Sequence, residues 1–425
     1  MAKELPDLHK VLDRLFAKSG EKPTIASQAL FDRSPRKPAG GSRPPGGNGA
    51  ASARPFAGLM RRLAGASGPV VGLDLAASGV KLVHAEPGKG GPPRVTAAAC
   101  REIPPELPDA QRGDFIRQAL RDFHRQGLLR GRVMMSVPDI QIAVEQAAMP
   151  KMPAPDLEKA VEWEAKEKMS ADPSSHCVRH LLVGEAAADG KPQMEILIFA
   201  VPKEDVLAPY QMVSEAGGKV EAAEPGILGS VAALDAAGLL HPEEFVAVMD
   251  IGLRNSALAF VVDHKVRFVR SFSVAGDGAT RSIADYCKVD YPTAELQKRE
   301  SGLPLTGAAQ PAAPAGAEAD LRTRAGQALT LYLEKLASEV DHSLRYVTYY
   351  TLQRGSGHRL DRLYLLGGGA QLRNLAPFLE SRLGAEVRVA DPFEKMSLSE
   401  EAARQLPPGL ARSRMAAALG LALRG

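Results

Sequence analysis

The chain of 425 residues has one tryptophan, 5% aromatic residues and three cysteines, and no apolar run in it reaches the length of a membrane span. Each shortage excludes something. Cys100, Cys177 and Cys287 lie far apart, show no Cys-x-x-Cys spacing and are odd in number, which argues against a disulfide framework and fits reduced thiols in a cytosolic protein. All three read as inert packing residues. A bilayer helix needs about 20 consecutive apolar residues, so any membrane contact is expected to be indirect or peripheral. The opening segment "MAKELPDLHKVLDRLF" also lacks the uninterrupted apolar core of a signal peptide. Absent too are GxxxxGK[ST], a GxGxxG after a strand, HExxH and GxSxG, so P-loop, dinucleotide, zincin and hydrolase readings have no motif behind them.

What is present is a globular composition, 45% hydrophobic and 24% charged, long enough for two or more domains. The net charge of +3 is unevenly spread: residues 1 to 69 hold 12 Lys and Arg against 5 Asp and Glu, which leaves the remainder at −4. A mildly acidic body argues against nucleic-acid binding, while the basic tail is free to meet an acidic surface or anionic lipid. Within that tail Leu5, Leu8, Val11, Leu12, Leu15 and Phe16 fall on one face of a short amphipathic helix. A Pro-, Gly- and Ser-rich linker follows from Ser34 to Pro55. The helix is either a docking element, for a motor ATPase or the membrane, or a dispensable tail.

From Val70 onward strand-like runs ("PVVGLDL", "VKLVHAE", "RVMMSV", "MEILIFAVP", "FVAVMDI", "SALAFVV", "KVRFVRSFSV", "RLYLLG") alternate with helical segments, which predicts an α/β fold. Pro155 and Asp156 read as the stop and cap of a helix with Leu157, Ala160, Val161 and Ala165 inward. A long helix places Leu329, Leu333, Leu336, Val340, Leu344 and Val347 on its core face. Before it, residues 303–320 read as a mobile Ala/Pro-rich loop.

Three strand-turn segments carry the chemistry, in the order "GLDLAASGVKLV", "VMDIGLRNSALAFV" and "LYLLGGGAQLRNL". A strand ending in Asp before a tight turn presents backbone N–H groups to an anion, and its carboxylate can hold a hydrated Mg²⁺. Two such hairpins facing across a cleft can clamp the phosphates of one nucleotide, and a glycine-rich turn lets backbone approach an adenine or ribose closely, where a Cβ would intrude.

This ordered trio resembles the actin-like ATPase superfamily. With "MPKMPAPDLEKAVEWEAKEKM", "VEAAEPGILGSVAAL", "LASEVDHSLRYV" and the closing "AAALGLALRG", it is most similar to the PilM family of type IV pilus assembly proteins, over about Pro69 to Gly425. The resemblance implies a two-lobe actin-like α/β fold with an FtsA-type inserted small subdomain, preceded by a disordered extension, 1–68. The first lobe's core would be 69–90 and 200–243 with a C-terminal helix at 412–425, the insertion 91–199 and the second lobe 244–395. It further implies ATP with Mg²⁺ between the lobes, and a partner in the cytoplasmic tail of a PilN-like inner-membrane protein, with pilus motor or platform proteins beyond it. The location would be cytoplasmic, at the inner membrane through partners.

Carried onto this sequence, the nucleotide site is Asp74, Ala76, Ala77, Ser78 and Lys81 on the first hairpin, Asp250, Gly252, Asn255 and Ser256 on the second, and, for the adenine end, Gly367, Gly368 and Gly369 at the glycine turn. Asp74 and Asp250 would meet Mg²⁺ through water. Lys81 reaches a phosphate or snorkels from a strand edge; Arg254 meets phosphate or solvent; Glu224 is a cleft carboxylate or caps the helix after Pro225. Trp163 is a packing residue or a peptide anchor. Where the family has Asp-Ile-Gly-Ser, this chain has Asp74-Leu75-Ala76-Ala77, and Ala76 adds a Cβ that disfavours positive φ and crowds a phosphate. The resemblance thus implies a weakened nucleotide site, and no residue stands out as a catalytic base, so turnover would be slow at most. A small-molecule kinase of the same superfamily and an FtsA-like division protein are the alternatives. Ala76 counts against the first, and the terminal "GLALRG", which reads as a lobe-closing helix, against the second.

Overall fold

Strand β1 (Val70–Ala76) is apolar on both faces because both faces are covered, and it pairs antiparallel with β2 (Gly79–Glu86), from Val70 opposite Ala85 to Ala76 opposite Gly79. In the computed structural model, residues 69–86, 93–137, 142–188, 191–304, 317–351, 359–406 and 412–425 are described. The expected N-terminal helix, the linker and the centre of the 303–320 loop lie outside the described residues. β3 (Arg94–Glu102) pairs with β2, and after helix α1 (Asp109–Arg125) strand β4 (Arg132–Val137) lies parallel to β1.

A separate three-stranded sheet follows. It comprises β5 (Ala143–Pro150), β6 (His176–Ala188) and β7 (Lys191–Pro202) in the order β5-β7-β6, with α2 (Ala154–Met169) between β5 and β6 in sequence. Leu157, Val161 and Ala165 of α2 bury against Val178, Ile196 and Ile198, which gives the unit its own core. Helix α2 starts at Ala154, and Asp156 lies inside its first turn instead of capping it. Proline is tolerated there because first-turn N–H groups have no partner within the helix. The insertion expected at 91–199 is therefore shorter: β3, α1 and β4 belong to the first lobe. "RVTAAAC" and "RVMMSV" suit any sheet by composition, and the choice is made by long-range pairing, Val95 with Ala85 and Val133 with Val71.

The chain returns through α3 (Lys203–Glu215), β8 (Lys219–Pro225) and α4 (Gly226–Ala236). The second lobe is a five-stranded sheet of β9 (Phe245–Ile251), β10 (Ser256–Val262), β11 (Lys265–Phe272), β12 (Arg362–Leu366) and β13 (Glu386–Val389), ordered β11-β10-β9-β12-β13. Helices α5 (Gly276–Cys287), α6 (Tyr291–Ser301), α7 (Ala317–Tyr346) and α8 (Leu375–Leu383) cover it. Leu329, Leu333, Leu336, Val340 and Val347 are buried as their spacing predicts, and α7 already begins at Ala317, inside the expected loop.

Strand β14 (Ser397–Leu398) rejoins the first lobe, completing the order β14-β3-β2-β1-β4-β8, and α9 (Glu400–Gln405) and α10 (Ala416–Arg424) close the described chain. Phe393 and Met396 pack with Val83 and Leu419 of that lobe. Helices α4 and α10 are buried on nearly every face, as uniformly apolar helices must be. They meet backbone to backbone: a Cβ on Gly420 would stand 1.7 Å from the Gly229 carbonyl oxygen. The insertion is fastened to the second lobe through Arg267 of β11, whose Nη1 donates to Val183 O and Glu195 Oε2, both at 2.9 Å.

Candidate functional site

The antiparallel register puts Asp74 directly across from Lys81, and the Lys81 ammonium lies 2.8 Å from Asp74 Oδ2. Ser136, the penultimate residue of β4, donates its hydroxyl to Asp74 Oδ1 at 2.9 Å and accepts the Leu75 N–H at 3.0 Å. Both oxygens of Asp74 are thus engaged. From the second lobe Asp250, near the end of β9, accepts the Ser230 hydroxyl of α4 at 3.1 Å, a hydrogen bond that crosses between the lobes. Burial pushes the Asp250 carboxyl up to about 6; the Lys81 charge pulls it down and the Asp74 charge adds to the rise. Burial alone would lower Lys81, but the charges of Asp74 and Asp250 and the hydrogen bond to Asp74 hold it above the usual lysine value. One ammonium therefore serves two carboxylates from opposite lobes.

The turn of the first hairpin is pinned. Arg112 Nη1 donates to Ala77 O at 2.8 Å, and the Ile103 N–H to Ser78 O at 3.0 Å. Neither Ala76, Ala77 nor Ser78 has positive φ, so Ala76 sits without the backbone strain its sequence position predicts. The unusual conformation falls instead on Gly79, at φ +153, where a Cβ would stand 2.4 Å from Arg101 O.

In the second hairpin the Gly252 N–H donates to Asn255 O at 3.0 Å, closing the turn on itself, and Asn255 is half-buried. Ser256 is fully buried and donates to Val274 O at 2.7 Å, so the expected phosphate donor is a structural hydroxyl. Arg254 forms an ion pair with Asp109 at the start of α1, across the mouth of the cleft. Behind this hairpin lies a polar network that the sequence reading did not single out. Lys298 Nζ donates to Gly276 O at 3.0 Å and Thr280 Oγ1 at 2.7 Å, and pairs with Glu295 at 2.6 Å.

The three glycines divide by role. A Cβ on Gly367, which has φ +81, would stand 2.3 Å from Asp250 Oδ1, and one on Gly369 would stand 2.2 Å from Ile251 Cγ2. These two let the end of β12 lie against the end of β9. Gly368 is different: the nearest atom to its missing Cβ is Arg414 Nε at 3.9 Å, so its face is open. Gly367→Ala should accordingly destabilise the fold by about 2 kcal/mol or more, and Gly368→Ala should leave the melting temperature within error of the parent. Equal losses at the two positions would contradict this division. Asn374, following the turn, adopts the left-handed conformation and donates Nδ2–H to Leu303 O at 2.7 Å.

Three further expectations need correction. Glu224 does not stand free in the cleft: it forms an ion pair with Arg424 of α10 at 2.6 Å, with side chains only 13% and 2% exposed. It makes no capping bond to α4 either. Trp163 is 62% exposed on α2, so the packing reading gives way. Cys100 is exposed on β3 directly across from Lys81, whereas Cys177 and Cys287 are buried. Ser136, Ser230 and Arg112 gave no advance signal, because each acts on a hairpin far away in sequence.

Among the described residues no group of three or more His, Cys, Asp or Glu could hold a metal ion. Asp74 presents a carboxylate that already holds Lys81 on one oxygen and Ser136 on the other.

The strand order of the two lobes, the paired hairpins and the insertion between β4 and α3 define an actin-like ATPase fold. Its family membership is equally plain: the chain belongs to the type IV pilus assembly protein PilM family, whose model matches residues 72–425. The chain is similar to the solved PilM-PilN type IV pilus biogenesis complex, at 24% identity over 84% of this chain and 98% of that one, with a TM-score of 0.68. Lesser similarity extends to the ethanolamine utilization protein EutJ from Carboxydothermus hydrogenoformans, at 15% identity over 85% and 91% of the two chains and a TM-score of 0.46. For MreB 5 of Spiroplasma citri bound to AMPPNP the figures are 14%, 84%, 95% and 0.45. No curated protein matches the chain.

Proposed function

We propose that this protein is a cytoplasmic actin-like scaffold of type IV pilus, or related type II secretion, assembly. It takes ATP in the interlobe cleft, recruits the cytoplasmic tail of a PilN-like inner-membrane protein, and so joins that membrane partner to pilus motor or platform proteins. The observation that carries this reading is the match of the PilM family over residues 72–425. The likeness to a PilM-PilN complex supports the choice of partner. No helix among the described residues is long and apolar enough to cross a membrane.

Within the cleft, the exposed Gly368 would lie against the nucleotide, and Asp74 and Asp250 would meet Mg²⁺ through water. When bound, the nucleotide supplies a phosphate chain that this site can hold. The polar side chains around the two hairpin aspartates are engaged in fixed contacts: Lys81 with Asp74, Ser136 with Asp74, Ser230 with Asp250. Such a site is built to hold and orient more than to move protons, so turnover is slow.

The test is calorimetric titration of the full chain with ATP and Mg²⁺, and separately with a peptide of the PilN-like tail encoded in the same genome. Peptide binding that strengthens or persists with ATP is the expected result. Failure of the peptide to bind under either condition would sink the scaffold reading; a phosphorylated small-molecule product would favour the kinase alternative.

A further inference from the structure

We infer that Arg414, whose side chain runs from Gly368 to the first hairpin, is the residue that takes the phosphate groups of a nucleotide in this cleft, giving up Glu102 to do so. The inference rests on the reading that a nucleotide enters this cleft, and it names the residue that reads the anion.

The two cations that the sequence offers for this task are both committed. Lys81 is buried and held by Asp74 at 2.8 Å. Withdrawing it from Asp74 would leave a buried carboxylate, and the half-buried Asp250 beside it, without a counter-charge, which is costly. Arg254 is paired with Asp109 on α1. Arg414 comes from the opposite end of the chain, on the single turn Arg412–Met415 that leads into α10. Its backbone is fixed against the glycine turn, since the Gly367 N–H donates to the carbonyl of the neighbouring Ser413 at 3.1 Å. Its side chain passes over Gly368, with Nε 3.9 Å from the point a Cβ would occupy, and ends on Glu102.

Glu102 lies opposite Gly79 in the β2–β3 register, so the guanidinium reaches from the glycine turn of the second lobe to the first hairpin. Its charge is also felt at Cys100, the cross-strand neighbour of Lys81. The Glu102 side chain is 59% exposed and that of Arg414 23%. An ion pair with so exposed a carboxylate is held weakly, and a phosphate offers the planar guanidinium a stronger, bidentate partner. Arg414 is thus the cation over the open glycine that can exchange partners without stranding a buried charge.

The experiment is titration of the full chain and of Arg414→Ala, Arg414→Lys and Glu102→Gln with ADP and with adenosine, each variant first checked for an unchanged melting temperature. ADP affinity should fall at least tenfold in Arg414→Ala, recover in part in Arg414→Lys and rise in Glu102→Gln, with adenosine affinity unchanged throughout. In the parent protein, ADP but not adenosine should slow alkylation of Cys100. Equal ADP affinity in the parent and Arg414→Ala would overturn the role of Arg414 while leaving the nucleotide cleft standing. Absence of binding by both ligands in the parent would overturn the cleft reading and this inference with it.

Discussion

Replacing Lys81 by methionine should destabilise the protein by about 3–5 kcal/mol at neutral pH, because it removes the cation shared by buried Asp74 and half-buried Asp250. Lys81 lies against Asp74 at 2.8 Å, and its charge also acts on Asp250. The loss should depend on pH. Asp250 has a folded pKa of about 6, above the 3.8 of a free carboxyl. Between those values the folded state keeps a proton that the unfolded state has lost, so this group's contribution to stability falls as pH rises. By pH 7 the penalty amounts to about 3 kcal/mol. Without Lys81 the carboxyl is pushed higher still, so the variant should recover much of its deficit between pH 7 and pH 5. Denaturant unfolding at the two pH values, with Asp250→Asn as a reference that cannot titrate, measures this. A Lys81→Met deficit equal at both values would show that Lys81 is not the counter-ion of these carboxylates.

Gly420→Val should have an effect of similar size with no such pH dependence. A Cβ at this position would stand 1.7 Å from the Gly229 carbonyl oxygen and 2.9 Å from Gly229 Cα. Neither atom is the far end of a side chain that can swing aside, so α10 must lift away from α4, and its other contacts with β1, β2 and β4 lift with it. Overpacking of a filled core costs about 1–3 kcal/mol where the surroundings can relax, and more is expected here, at least about 3 kcal/mol. A thermal melt reads the loss directly. A variant with parental stability would mean that the two helices do not touch at Gly229.

Much of this architecture was legible in the sequence. "FVAVMDI", "SALAFVV" and "RVMMSV" are strands over the very residues quoted, because buried strands between turn signals leave little freedom. The hairpin positions of Asp74 and Asp250 followed from strand-turn grammar as well. What local pattern could not supply was the partner. Nothing in "GVKLVHAE" distinguishes a lysine that snorkels from one neutralised inside a core, and the difference lies in Asp74 across the strand and Asp250 in another lobe. Glu224 and Arg424 are separated by almost half the chain. The glycine run read as one unit, yet two of its members are dictated by the proximity of Asp250 and Ile251 and only Gly368 is open. Ala76 misled in the opposite direction: the family's glycine suggested a strained position, but in this chain the unusual φ belongs to Gly79.

The seating of α10 also bears on the order in which the molecule assembles. The second lobe, 245–389, is one uninterrupted stretch of chain, and its contacts can form as soon as it leaves the ribosome. The first lobe is discontinuous: its sheet begins with β1 and ends with β14, and the helix that covers β1 comes later still. β1 and β2 must therefore wait, with apolar faces uncovered, until nearly all the described chain has been made. The half that is synthesised first is completed last, and during synthesis the strands that carry Asp74 and Lys81 form the part of the protein most in need of protection.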